Sequence, residues 1–201
     1  MYTLDNFLKY QFDGAGKYMI PAIFGTQKLS KDLKWVSYRE KCRDPANYGL
    51  HFFIDDYRFD NLWRQPDRYI EHLQRYAVVL QPDFSMYTDM PKAMQIFNHY
   101  KKQWLAAYWQ VCGIEVIPTI SWSDQESFEF CFDGVPQNSI VAVSSVGCMK
   151  NTESKRNFIN GYNVMMEKLR PHKVLFYGIP HTESKEIIKM GNTFTDKFDR
   201  R

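Results

Sequence analysis

Five apolar runs in this sequence give way to residues that can bind or react. After "LHFFI" come Asp55 and Asp56, and after "YAVVL" come Asp83 and Ser85, with Tyr87 and Asp89 behind them. "IEVIPTI" is followed by Ser121, Trp122, Ser123 and Asp124, and "SIVAV" by Ser144, Ser145, Gly147 and Cys148. The last run, "HKVLF", leads to Tyr177, Gly178 and His181. Clustered carboxylates can hold a divalent metal, or divide the roles of nucleophile and general base through shifted pKa values. Asp83 is the leading candidate, because it follows its run closely and stands several residues before the next helical pattern. Asp55 and Asp56 are adjacent, so one can face a pocket while the other caps a turn.

These three aspartates are the candidate catalytic residues. Ser85, Trp122, Asp124, Ser145, Cys148, Tyr177 and His181 are the candidate ligand-binding residues, with Trp122 as a stacking wall for a flat ring. Cys148 and His181 could also pair as nucleophile and base. Structural roles compete at several positions. Ser123 with Glu126 reads as an S-x-x-E capping box, which places Asp124 in the first helical turn. Thr88 or Asp89 reads as the N-cap of the helix that follows. His51, His72, His99 and His172 lack metal-ligand spacing, the four cysteines form no CxxC pair, and no dinucleotide or P-loop fingerprint occurs. No cofactor or metal site is evident, although the carboxylates leave a divalent metal open.

The same runs define the elements that must carry these groups. "LHFFID" (50–55), "YAVVLQ" (76–81), "IEVIPTIS" (114–121), "SIVAVSS" (139–145) and "HKVLFYGI" (172–179) read as strands. "YAVVLQ" lacks alternation, as a strand covered on both faces does. Helical patterns span about 61–76, 91–112, 126–132 and 153–169, and "ESKEIIKM" reads as a last short helix stopped by Gly191. In the long 91–112 helix, Met94, Phe97, Trp104, Tyr108 and Val111 form the apolar stripe. This is an α/β pattern: a mainly parallel sheet of five to six strands with alternating helices. It is either an incomplete TIM-like barrel or an open doubly wound sheet, and in both the strand C-terminal ends gather the site. "KYMIPAIFG" (17–25) is a possible sixth strand weakened by Pro21.

A chain of 201 residues, 44% hydrophobic and 16% aromatic, suits a single α/β domain over 1–201, with 1–49 a less regular N-terminal extension and 192–201 a frayed tail. Within that extension, Lys28, Lys31, Lys34, Arg39, Lys41 and Arg43 are interleaved with Trp35 and Tyr38. Basic and aromatic residues together suit phosphate contacts and base stacking, and a solvated connection with two inward aromatics competes. Net charge is only +3, no run approaches a membrane span, and no secretory signal is visible, so the expected setting is the cytoplasm.

The phrases "YRFDNLWRQPDRYIEHLQRYAVVLQPDFSMYTDMPKAMQIFNHYKKQWLAAYWQ", "VIPTISWSDQESFEFCFDGVPQNSIVAVSSVGC" and "LFYGIP" resemble a bacterial, phage and mobile-element family, the domain of unknown function numbered forty-four seventeen. The resemblance implies a phage or mobile-element context and supplies no reaction. A weaker likeness is to the queuine tRNA-ribosyltransferase-like barrels that exchange bases in transfer RNA or DNA. It rests on Asp55 or Asp56, Pro82-Asp83, "SVG" (145–147) and "YGI" (177–179), but a Gly-Gly-Phe phrase and a zinc cysteine cluster are missing. The leading expectation is a strand-end pocket for a nucleotide or nucleic-acid-derived ligand, with base exchange or hydrolysis as its chemistry. A counter-defence protein that sequesters a nucleotide signal or blocks a host protein is the alternative, and a DNA- or RNA-binding accessory a second. The oligomeric state is not readable from the sequence.

Overall fold

A computed structural model describes residues 4–30, 32–149 and 151–190. Lys31, Gly191 and the tail from 192 onward lie outside them. A short helix α1 (Leu4–Lys9) precedes a two-residue antiparallel ribbon, β1 (Gly14–Ala15) with β2 (Ile20–Pro21). The 17–25 run therefore does not join the parallel sheet. Pro21 has no amide to give a ladder, and the ribbon places it where none is required.

The main sheet is parallel throughout. Strands β3 (Lys34–Ser37), β4 (Tyr48–His51), β5 (Val78–Leu80) and β6 (Val116–Ile117) pair in that order. Strands β7 (Ile140–Ser144), β8 (Lys173–Tyr177) and β9 (Ile187–Met190) form a second parallel set. A parallel bridge between Thr119 and Ala142 links the two sets. Around it, Ala142 donates to the Pro118 carbonyl and Ile120 to the Ala142 carbonyl, both at 2.8 Å. Pro118, which lacks an amide, interrupts what is otherwise one ladder. Strand order follows chain order, without the reversal that a doubly wound sheet requires. The His51 and Tyr177 rings lie 4.9 Å apart although three strands separate β4 from β8, so the sheet is strongly curved.

Side chains alternate across this curved sheet. Val78, Leu80, Ile117, Ile140, Ala142, Leu175, Tyr177 and Met190 share the inner face. Val79 and Val116 face outward to helix α4 (Lys92–Val111), and Val141, Val143, Val174 and Phe176 to helix α5 (Thr152–Leu169). Both faces are covered, which explains the unbroken apolar runs.

Several elements differ from the sequence expectation. The 61–76 helix is split into α2 (Asn61–Arg64), a 3₁₀ turn at Pro66–Tyr69 and α3 (Ile70–Leu73). Pro66 forces Gln65 out of the helical region, to φ −140° and ψ 64°. The helix expected at 126–132 is a 3₁₀ turn, Gln125–Glu129. "ESKEIIKM" ends in strand β9, not a helix, because Met190 enters the inner core while the backbone pairs with β8. The basic N-terminal segment supplies edge strand β3, paired with β4 in register Lys34↔Tyr48. The expected stripe of α4 is also misplaced: Trp104 is buried, but Met94, Phe97 and Val111 are exposed. Beside Trp104, Leu105, Ala106, Ala107 and Trp109, the helix buries the polar residues Gln95, Asn98, His99, Lys102 and Gln103.

His51 sits in the inner core with its Nδ1 accepting from the Phe53 amide at 3.3 Å. Burial holds its pKa down at about 4. The unfolded chain, with an ordinary histidine pKa near ~6.5, takes up the proton more readily. His51 therefore contributes stability above that pH that is lost as pH falls toward 4, roughly 3 kcal/mol at full effect. Chemical denaturation of His51→Phe should show a shallower loss of stability between pH 6.5 and 4 than the parent protein.

Candidate functional site

A cleft of about 800 Å³ opens at the C-terminal ends of β4, β5, β6 and β7. Its walls come from the loops after these strands and from the first turns of α5. Asp55, Asp83, Asp89 and Glu153 give it four carboxyl groups, and no Lys or Arg lines it among the described residues. Ser121, Ser144, Asn151, Ser154 and Asn157 add neutral hydrogen-bonding groups.

The two adjacent aspartates take different roles. Asp55 precedes a 3₁₀ turn (Asp56–Arg58), makes no capping bond and lines the cleft. Asp56 turns away, and its carboxylate accepts from the Ser85 amide at 3.0 Å and the Ser85 hydroxyl at 2.8 Å. It clamps the loop after β4 to the loop after β5, holding Asp83 in place two residues before Ser85.

Asp83 is partly buried in the cleft wall, and its pKa is pushed up to about 6. Desolvation is the main cause, with the Asp56 charge adding to it. Lys102 and a hydrogen bond with Ser121 act in the opposite direction. The carboxyl group therefore titrates within reach of neutral pH, as proton-transfer groups require. Lys102 itself is buried behind Ser121, with Nζ 2.9 Å from Ser121 Oγ and 3.0 Å from the Thr119 carbonyl. Among the described residues no group of three or more His, Cys, Asp or Glu is arranged to hold a metal.

Other candidates are placed elsewhere. Trp122 touches the cleft but is spent on packing: its Nε1 donates to the Asn157 carbonyl at 3.1 Å, and its ring packs on Phe158. It seats on α5 only because residue 161 is glycine; a Cβ there would lie 2.2 Å from Nε1. Ser145 is buried and donates to the Ile179 carbonyl at 2.9 Å, so Ser144 is the serine on the cleft. Tyr177 points into the inner core, stacked on Phe53. His181 packs against Tyr162 and Phe158 and does not line the cleft. Cys148 does line it, but burial pushes its thiol up to about 11, which opposes thiolate formation.

The caps are also redistributed. Asp124, not Ser123, caps the 125–129 turn by accepting from Ser127 N at 3.1 Å, and it pairs with Lys92 at 3.1 Å. Ser123 donates instead to Gln95 Oε1 at 2.6 Å. Neither Thr88 nor Asp89 caps α4; both border the cleft, and Gln95 holds the Tyr87 and Met90 carbonyls. In the basic segment, Lys28, Lys34, Arg39, Lys41 and Arg43 are exposed. Its two aromatics are not free for stacking: Trp35 packs over Gly49, and Tyr38 against Phe52 and Tyr69. Sequence reading missed Lys102 because a lysine within a helical pattern reads as solvent-facing. Its spacing of three and seven residues from His99 and Gln95 is the available signal.

Asp124→Ala should cost about 1 kcal/mol in urea denaturation through loss of the cap. It should also weaken hydrogen-exchange protection at the Ser127 amide, which keeps the Asp124 backbone carbonyl as its second acceptor, whereas Ser123→Ala should leave that protection unchanged.

The profile of a family described as Domain of unknown function (DUF4417) matches residues 12–194. Gene 1 protein of Mycobacterium phage L5 is 36% identical over 197 residues, covering 96% of this chain and 86% of that protein. Gene 1 protein of Mycobacterium phage D29 is 37% identical over 173 residues, covering 85% of this chain and 64% of that protein. No solved structure matches. None of these matches supports the likeness to base-exchange barrels. The match over most of the chain, together with relatives above one-third identity, makes this protein a member of the DUF4417 family.

Proposed function

We propose that the protein is an enzyme with an incomplete parallel barrel, whose strand-end cleft binds the nucleoside portion of a nucleotide or nucleic acid and hydrolyses or exchanges its base. The observation that carries this reading is Asp83: a desolvated carboxyl group in an open cleft, titrating at about 6. At pH 7 it is mainly ionised and acts as general base toward a water or an incoming base. The four carboxyl groups of the lining favour a neutral or cationic ligand face, with any phosphates held outside the mouth. Relatives encoded by phages support a role in the cytoplasm of an infected cell. No helix among the described residues is long and apolar enough to cross a membrane.

Isothermal titration with nucleosides and their 5′-monophosphates tests the ligand class, with the neutral nucleoside expected to bind more tightly. Chromatographic detection of released base tests the reaction. Asp83→Asn should reduce turnover by about 10²–10⁴-fold while retaining ligand affinity. The parent rate should rise with pH through a midpoint near 6, as an ionised base requires. A variant that loses affinity alone would identify a sequestering protein and overturn the catalytic reading.

A further inference from the structure

Lys102 is 1% exposed, and among the described residues no carboxylate lies within ion-pairing distance of it. Its Nζ has two partners, the Thr119 carbonyl at 3.0 Å and Ser121 Oγ at 2.9 Å. The carbonyl can only accept, whereas the hydroxyl can accept or donate. An ammonium carries three donors and would leave one unmet without solvent. A neutral amine donates to Thr119 and can offer its lone pair to the Ser121 proton, for which the neighbouring Asp83 carboxylate competes. Burial lowers the Lys102 pKa, and the other groups around it are the His99 ring, the Cys131 thiol and Asp83. Burial keeps His99 neutral and pushes the Cys131 thiol up to about 12; Asp83 and, less strongly, Cys131 favour the cation, against the larger effect of burial. Ser121 stands between this amine and open space, since its side chain belongs to the cleft wall.

We propose that Ser121 is a nucleophile and Lys102 its general base, forming a serine–lysine dyad that opens into the cleft and attacks the carbonyl carbon of a neutral ester or amide. The proposal requires only that the cleft admit a neutral molecule, so it does not rest on the nucleoside reading. In the first step the Ser121 hydroxyl proton passes to Lys102 Nζ as Oγ bonds to the carbonyl carbon. The bond to the leaving alcohol or amine then breaks, and that group departs with the proton from Lys102. Water, deprotonated by the same amine, attacks the acyl ester; Ser121 recovers its proton and the carboxylic acid leaves. The acidic wall opposes phosphorylated electrophiles and leaves neutral acyl compounds as the substrate class.

A neutral fluorophosphonate tests the dyad without a known substrate, because serine attack forms an Oγ–P bond and expels fluoride. Intact mass and peptide mapping should find one adduct, on Ser121, and Ser121→Ala should abolish it. Lys102→Met should slow labelling by about 10²-fold or more, as loss of a general base does. Lys102→Arg should do the same, because a guanidinium keeps the charge but cannot accept the proton. Thermal melting identifies which lysine variant is folded for comparison. For the parent protein, the labelling rate should rise with pH as Lys102 deprotonates. Absence of a Ser121 adduct, an adduct retained in Ser121→Ala, or a rate flat from pH 5 to 9 would each overturn the dyad. Those outcomes leave the Asp83 reading intact, because nucleoside affinity and base release report on it separately.

Discussion

Along one side of α4, five buried polar side chains hold the segments packed against it, and Gln95, Asn98 and Lys102 do so at the loops that build the cleft. Gln95 holds the carbonyls of Tyr87 and Met90, Asn98 that of Ser85, His99 that of Asp133 and Lys102 that of Thr119. Gln103 accepts from Gln81, whose own carbonyl oxygen in the side chain receives the Thr119 amide. A buried carbonyl or amide left without a partner costs about 1–3 kcal/mol. Irregular backbone can therefore lie at the strand ends only because the helix supplies donors there. Remove this face, and the loops after β5 and β6 have no reason to keep one conformation.

The candidate site groups depend on that arrangement. Ser85 receives an anchor at each end, its carbonyl from Asn98 and its amide and hydroxyl from Asp56. Asp83 lies inside this braced loop, desolvated by the same packing that fixes it. Lys102 uses one bond for structure, to Thr119, and presents the other to Ser121 at the cleft wall. A helix face that serves as scaffold thus also sets the proton affinities of Asp83 in the cleft wall and of Lys102 behind it.

Curvature of the sheet does the remaining work. Sequential parallel strands, bridged at Thr119 and Ala142, bring the ends of β4 to β7 around one opening. A flat ladder of the same strands would spread Asp55 and Ser144 by roughly 14 Å, given about 4.8 Å between neighbours. The inner core that fills the concave side includes His51, Phe53 and Tyr177, which is why Tyr177 is unavailable to the cleft.

The five predicted strands, the parallel α/β class and the delivery of Asp83 to a strand end were legible in the sequence, because burial on both faces and a carboxylate after an apolar run are local signals. The edge strand Lys34–Ser37 and the strand Ile187–Met190 were not, since each is stabilised mainly by pairing with a distant partner. Local pattern also misplaced the buried side of α4. An apolar stripe is read from hydrophobicity, whereas this helix buries glutamines, a histidine and a lysine that become tolerable only when remote loops supply their partners. Which aspartate faces the cleft, which serine lines it, and whether Trp122 is free to stack are decided by hydrogen bonds across tens of residues. Sequence alone determined the types of groups delivered to the strand ends. Tertiary structure decided which of them keep a proton, a partner or an open face, because desolvation and pairing depend on neighbours that the chain brings together only when folded.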